Sequence, residues 1–132
     1  MKWVLQDKKK KKYSLRRLIK SFKYAFCGIF KAYKTEQNIL IHTIAMIFVL
    51  GLSWYFKISL IEFCIVVFAI GLVISLELVN TSIENTVDMA MPNLHPLAKN
   101  AKDIASGAVL FACFTAITIG LVIFLPKILE LF

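Results

Sequence analysis

The sequence contains few of the residues that build turns, disulfides and acidic surfaces. Its 132 residues include 3 Pro, 5 Gly, 3 Cys and 8 Asp and Glu together. The cysteines are far apart and form no C-x-x-C pair, which argues against a disulfide framework and against a zinc site. No G-x-x-x-x-G-K-[ST] loop occurs, so the usual phosphate cradle of soluble nucleotide-binding domains is missing. Any nucleotide chemistry must therefore depend on other elements.

Apolar residues are abundant instead. They make up 59% of the chain, and charged residues make up 18%, whereas soluble domains average roughly 45–50% apolar residues. A membrane-spanning helix needs about 20 residues, so the length allows three or four spans and no additional soluble domain. We predict an all-α integral membrane protein that forms a single domain over residues 1–132.

The basic residues are concentrated at the N-terminus. Of the 16 Lys and Arg, 12 fall in the first 34 residues, including the run Lys8–Lys12, and the net charge is +8. A polybasic segment ahead of membrane spans is typical of a cytoplasmic anchor to anionic lipid. No fold that reads bases is visible, so nucleic acid is not an expected partner. The segment also lacks the pattern of a cleavable signal peptide.

Four helices are predicted. Residues 13–33 alternate apolar and basic residues at helical spacing, which predicts an amphipathic surface helix within a basic cytoplasmic segment, residues 1–34. Apolar runs predict spans over residues 39–56, 60–86 and 104–125, the last ended by Pro126. Because basic residues mark the cytoplasmic side, three spans place the N-terminus in the cytoplasm and the C-terminus outside.

Polar residues form a stripe at one end of the second predicted span, in ELVNTSIENTVD, residues 77–88. Helical spacing puts five of them on one face: Glu77, Asn80, Thr81, Glu84 and Asp88. They could be solvated interfacial residues that pair with the basic segment. Ionisable groups that start inside apolar sequence are costly, however, and usually functional. Two carboxylates and an amide also suit Mg²⁺.

Other charged residues are expected at the same membrane level. Glu36 precedes the first span, and Lys102 and Asp103 precede the third. Metal-binding carboxylates beside a lysine at the lipid surface favour phosphoryl transfer to a lipid. A small ion-coupled transporter that uses an intramembrane Glu is the alternative from a different class. His42, inside the first span, is expected to be a packing or interfacial residue.

Two segments carry a family resemblance. ELVNTSIENTVD, followed by HPLAKNAKDIASGAV, closely resembles the signature of the prokaryotic diacylglycerol kinase family. Upstream, SFKYAFCGIFKAYKTEQNILIH resembles the family's surface helix and the Glu that follows it, with Arg17, Tyr24 and Gly28 at matching spacing. The resemblance implies a lipid kinase that uses ATP and Mg²⁺ in the bacterial plasma membrane. It also implies a homotrimer with active sites shared between subunits.

The resemblance further implies a role for each matching residue. Glu77 corresponds to the catalytic base, Glu36 and Glu84 to the carboxylates that hold Mg²⁺, Asn80 to a supporting residue, and Ser106 to a position near the lipid. The implied nucleotide-binding residues are Arg17, Tyr24, Glu36, Glu84, Asn93, Leu94, His95, Lys102 and Asp103. SFKYAFCGIF and TEQNILIH resemble the Gram-positive branch, whose acceptor is the polyprenol undecaprenol. Diacylglycerol is the alternative acceptor.

Overall fold

The computed structural model describes residues 14–93 and 95–132. The chain divides into two units, with the boundary between Lys31 and Ala32. Helix α1, Leu15–Thr35, contains most of the described part of the first unit. Its apolar side chains are exposed: Leu15, Leu18, Ile19, Phe22, Phe26 and Phe30. With the basic residues between them, they confirm the predicted amphipathic helix. The lysine run Lys8–Lys12 lies outside the described residues.

Three further helices belong to the second unit: α2, Gln37–Tyr55; α3, Leu60–Ala90; and α4, Pro96–Leu129. Each is long and apolar enough to cross a membrane. Their most apolar stretches bury only 11% to 22% of their residues within the chain, so most of these apolar side chains are exposed on its surface. The predicted all-α architecture, with an N-terminal helix and three spans, is confirmed.

Helix α3 packs along α4 over much of its length and contacts α2 less extensively. The apolar core lies at the end of the spans farthest from the polar stripe. There, Val66, Ile123 and Phe124 are buried and pack against Val49 and Phe56. Because α3 runs antiparallel to both neighbours, this core leaves the other end of the three helices for polar residues.

A short turn connects α2 to α3. Phe56 ends α2, and Lys57 takes a positive φ of 46°, a left-handed conformation that is strained for a residue with a side chain. Ser59 and Glu62 then form a reciprocal capping box, in which the Ser59 hydroxyl accepts from the Glu62 amide and the Glu62 carboxylate accepts from the Ser59 amide. Glu62 also lies 3.4 Å from the Lys127 ammonium. The ion pair therefore links the start of α3 to the last turn of α4.

Two helices are longer than the predicted spans. α3 continues past residue 86 to Ala90, and α4 begins at Pro96 rather than at residue 104. Charged residues limit a membrane span but not a helix, and Pro is well suited to the first helical position. The expectation that Pro126 ends α4 is wrong, because the helix continues through it to Leu129. Proline near the end of a long apolar helix is tolerated when local adjustments satisfy the backbone.

Candidate active site

The polar stripe of α3 changes from buried to exposed along the helix. Glu77, Asn80 and Thr81 are buried, Glu84 is half-buried and Asp88 is exposed. The Thr81 hydroxyl donates to the Glu77 carbonyl at 3.0 Å, which satisfies that buried hydroxyl within the helix. The stripe therefore presents a buried carboxylate at one end and solvated carboxylates at the other.

The buried carboxylate of Glu77 has a partner on another helix. Its Oε1 lies 3.0 Å from Nε2 of His42, on α2, and the two side chains are 4% and 25% exposed. Sγ of Cys113, on α4, lies 4.0 Å from the same ring nitrogen. Treating His42 as a packing or interfacial residue missed this contact. The available signal was an ionisable residue within an apolar span, which requires a polar partner.

Asn80 connects the middle of the stripe to α4. Its Nδ2 donates to Glu84 Oε1 at 3.0 Å, and its Oδ1 accepts from the Ser106 hydroxyl at 3.4 Å. One amide therefore orients a carboxylate on its own helix and a hydroxyl on the next. The structure brings together Asn80, Glu84 and Ser106, which the sequence associated with one site.

At the exposed end of the stripe, Lys102 forms an ion pair with Asp88. The Lys102 ammonium donates to both carboxylate oxygens of Asp88, at 2.9 and 3.0 Å. The pair joins the last turns of α3 to the first turns of α4. From the sequence, Lys102 was expected just before the third span, but its pairing with Asp88 was not predicted. Nucleotide phosphate, if it binds Lys102, has to compete with Asp88.

The other candidate residues are more dispersed. Glu36 is the N-cap residue of α2, with an extended backbone and no side-chain capping bond. Within the described residues it shares no hydrogen bond or ion pair with the α3 stripe. Asn93 and Asp103 are exposed, and His95 caps α4 by accepting from the Leu97 amide at 3.2 Å. Leu94 lies outside the described residues.

Two candidates belong to the first unit. Arg17 and Tyr24 are both exposed on α1. The backbone carbonyl of Arg17 accepts a hydrogen bond from the Ser21 hydroxyl at 3.1 Å. Both side chains are therefore accessible to a ligand.

The residues fit Mg²⁺ as a partial ligand set. In the described part of the chain, no three His, Cys, Asp or Glu side chains come together as a complete metal site. Mg²⁺ does not require one, because it commonly takes one or two carboxylates and fills its shell with water and substrate phosphate. The half-buried Glu84, already oriented by Asn80, supplies one such carboxylate. Glu36 is the second carboxylate that the sequence offers for this role.

An apolar cavity of about 320 Å³ begins beside the His42 and Glu77 pair. Each of the three spans contributes to its wall: His42 and Val49 on α2, Val66 and Ile74 on α3, and Cys113 on α4. Its walls also include residues of the apolar core, such as Val66. A hydrocarbon chain is the type of ligand that suits these walls, and His42 is the wall residue that contacts Glu77.

Comparisons with known proteins place the chain among bacterial lipid kinases. Residues 23–124 match the family model described as "Prokaryotic diacylglycerol kinase". The chain is 44% identical to an undecaprenol kinase of Bacillus subtilis over 92% of this chain and 99% of the relative. It is 37% identical to a diacylglycerol kinase of Synechocystis over 86% of this chain and 66% of the relative. A diacylglycerol kinase of Helicobacter pylori is 34% identical over 70% of this chain and 73% of the relative.

These relatives are kinases, so the comparisons decide against the transporter alternative. The match covers α2, α3 with its whole polar stripe, and α4 as far as residue 124. The chain therefore belongs to the prokaryotic diacylglycerol kinase family, a family of membrane-embedded lipid kinases.

Proposed function

We propose that this chain transfers the γ-phosphoryl group of ATP to the hydroxyl of undecaprenol. The observation that carries the proposal is the identity of 44% to the Bacillus subtilis undecaprenol kinase across 99% of that relative. The relatives named diacylglycerol kinase match at 37% or less. An apolar cavity lined in part by His42, the partner of the buried Glu77, suits an acceptor with one hydroxyl and a long hydrocarbon chain.

In this proposal Glu77 is the catalytic base. Its carboxylate accepts the proton of the lipid hydroxyl, the hydroxyl oxygen bonds to the γ-phosphorus, and the bond from phosphorus to the ADP oxygen breaks, with ADP leaving. Glu77 is 3% exposed, and its partner His42 lines part of the cavity. This position suits proton transfer from a lipid better than contact with a nucleotide.

Glu84 and Glu36 would hold Mg²⁺, with Asn80 orienting Glu84. When bound, the metal ion would neutralise the charge that develops on the transferring phosphoryl group. Lys102, Asp103, Asn93 and His95 follow the exposed end of the stripe along the chain, and Arg17 and Tyr24 lie on α1. These residues and Leu94 are the remaining nucleotide-binding candidates. Ser106, which donates to Asn80, would lie near the lipid acceptor.

We also propose that the active protein is a homotrimer with active sites shared between subunits. The three spans bury little of their surface within one chain, and Glu36 makes no direct contact with the α3 stripe in the described residues. A second subunit would cover exposed apolar faces and could supply the missing carboxylate. The protein is a multi-pass membrane protein, and we propose a cytoplasmic N-terminus and an external C-terminus on the basis of the N-terminal lysines and arginines.

The acceptor is tested with purified protein, Mg²⁺ and γ-labelled ATP in mixed micelles that contain undecaprenol, diacylglycerol or neither. We expect labelled undecaprenyl phosphate, with higher kcat/KM for undecaprenol when both alcohols compete. A preference for diacylglycerol would instead support the activity named for the Synechocystis and Helicobacter relatives. Label transfer to neither alcohol would contradict the proposal. Glu77→Gln serves as the control for transfer by a contaminating kinase.

A further inference from the structure

A polar contact between His42 and Glu77 joins α2 to α3. Nε2 of His42 lies 3.0 Å from Oε1 of Glu77, within hydrogen-bonding distance. Glu77 is 3% exposed, and a buried carboxylate without a partner is destabilising. Among the described residues, His42 alone contacts that carboxylate through a hydrogen bond or ion pair. Glu77 therefore depends on α2 for its polar environment.

This single contact leaves the two carboxylate oxygens different. The ion-pair contact of His42 Nε2 with Oε1, at 3.0 Å, restrains the rotation of the carboxyl group about its last bond. Oε2 then remains as the oxygen for another ligand. A general base has to be within hydrogen-bond reach of the proton that it removes, about 2.6–3.2 Å between heavy atoms. Restraint of the carboxyl group by His42 would keep Oε2 in one direction relative to the cavity.

His42 is itself held from several sides. It lines the apolar cavity together with Cys113, whose sulfur lies 4.0 Å from Nε2. The neighbouring Thr43 hydroxyl donates to the Ile39 carbonyl at 2.7 Å and lies 2.8 Å from the Tyr33 hydroxyl. Tyr33 precedes α2, so this bond anchors the first turns of α2, which carry His42. The ring is thus placed by packing and by its helix, as a residue that orients a second residue has to be.

We infer that His42 is a positioning residue for Glu77, which orients the carboxylate towards the acceptor hydroxyl without contacting the reacting atoms. The inference rests on the proposed function, because it assigns His42 to the reaction in which Glu77 is the base. Its role resembles that of residues which orient a catalytic group through a hydrogen bond in other enzymes. Loss of the hydrogen bond should affect turnover more than nucleotide binding, since Glu84 lies farther along the helix and is oriented by Asn80.

The test compares His42→Leu, which removes the donor, with His42→Gln, which keeps an N–H donor on a side chain of similar reach. We expect kcat with undecaprenol to fall roughly 10- to 100-fold in His42→Leu, the order of effect that misplacement of a reacting group produces. The KM for ATP should stay within about twofold of wild type, and His42→Gln should recover most of the lost kcat. Ile41→Leu, one residue earlier on an exposed face of α2, is the matched control.

A purely structural role for His42 predicts a different outcome. It would lower the thermal midpoint in detergent and the yield of folded protein, while kcat per folded protein stayed unchanged. That result in His42→Leu, or an equal loss of kcat in His42→Gln, would overturn the inference. The Glu77→Gln background gives a second measurement, because His42→Leu should then reduce the residual kcat by less than about twofold. A full additional loss there would also contradict positioning through Glu77.

The wild-type protein separates this inference from the proposed function. If wild type phosphorylates undecaprenol and His42→Leu is equally active, only the positioning role is refuted. If wild type phosphorylates neither undecaprenol nor diacylglycerol, the proposed function fails, and the inference fails with it.

Discussion

Replacing Glu77 with Gln changes the proposed base while preserving its surroundings. The Gln carbonyl oxygen can still accept a hydrogen bond from Nε2 of His42, which lies 3.0 Å from the carboxylate in wild type. Gln has nearly the same volume as Glu, so the buried site stays filled. We therefore expect little change in folding and a specific loss of proton acceptance.

The size of the loss follows from general base catalysis, which contributes roughly 10²–10⁴ in rate. At about 1.36 kcal/mol per tenfold change, the activation barrier of Glu77→Gln should rise by roughly 3–5 kcal/mol. Glu84 lies seven residues farther along α3, about 10 Å at 1.5 Å per residue. Because its hydrogen bond to Asn80 does not involve Glu77, ATP affinity should stay within about twofold of wild type.

The assay measures two quantities: turnover of labelled ATP with undecaprenol at saturating concentrations, and equilibrium binding of ATP with Mg²⁺ to the same preparation. Glu84→Gln is the control, since it should impair nucleotide binding as well as turnover. A collapse of ATP affinity in Glu77→Gln, with turnover preserved at saturating ATP, would refute the reasoning. Glu77 would then be a ligand, and Asp88 and Asp103 would be the next candidates for the base.

Four further predictions follow from the proposed site and the fold. Glu36→Gln and Glu84→Gln should each reduce Mg²⁺-dependent turnover by about 10²-fold or more, because each removes charge that stabilises the transferring phosphoryl group; unchanged Mg²⁺ titrations in both variants would exclude them from the site. Mixing Glu77→Gln subunits with Glu36→Gln subunits should restore part of the activity, and no rescue in mixed trimers verified by crosslinking would place the whole site in one chain. Phe132→Cys, in a variant without the native cysteines, should react with an impermeant thiol reagent only from outside; reaction only from the cytoplasm would mean that the number of spans is wrong. Lys57→Gly should stabilise the protein by up to about 1 kcal/mol, because it relieves a positive φ of 46°; an unchanged thermal midpoint in detergent would contradict that strain.

The helices were predicted well because each is identified by a pattern among residues that are close together in the sequence. Alternating apolar and basic residues identified α1, and long apolar runs identified the three spans. The helix ends were less accurate. Charges at Lys99, Lys102 and Asp103 suggested that the last span starts at residue 104, but a helix continues readily beyond the apolar part of a membrane. Pro126, where the predicted span ends, lies inside α4, and the helix continues to Leu129.

The contacts between helices could not be predicted from spacing within a helix. Helical periodicity placed Glu77, Asn80 and Glu84 on one face, and the structure shows the first two buried. Helical periodicity gave no information on which residue of α2 faces Glu77 or on which residue pairs with Lys102. Those pairs depend on the packing and rotation of whole helices. A histidine within an apolar span requires a polar partner, but His42 was expected to be a packing or interfacial residue, and its pairing with Glu77 was not predicted.

The short turn between α2 and α3 has a consequence for membrane insertion. Only Phe56–Ser59 separates the two helices, so they form a helical hairpin whose outer tip carries few polar groups. In the proposed orientation, Lys57 and Glu62 are the charged residues that must be carried across the bilayer with this tip, and their charges are opposite. The capping box already provides Glu62 with a backbone partner inside the hairpin. The hairpin can therefore insert as one unit with no net charge at its leading edge, before α4 and its Lys127 arrive to complete the outer end.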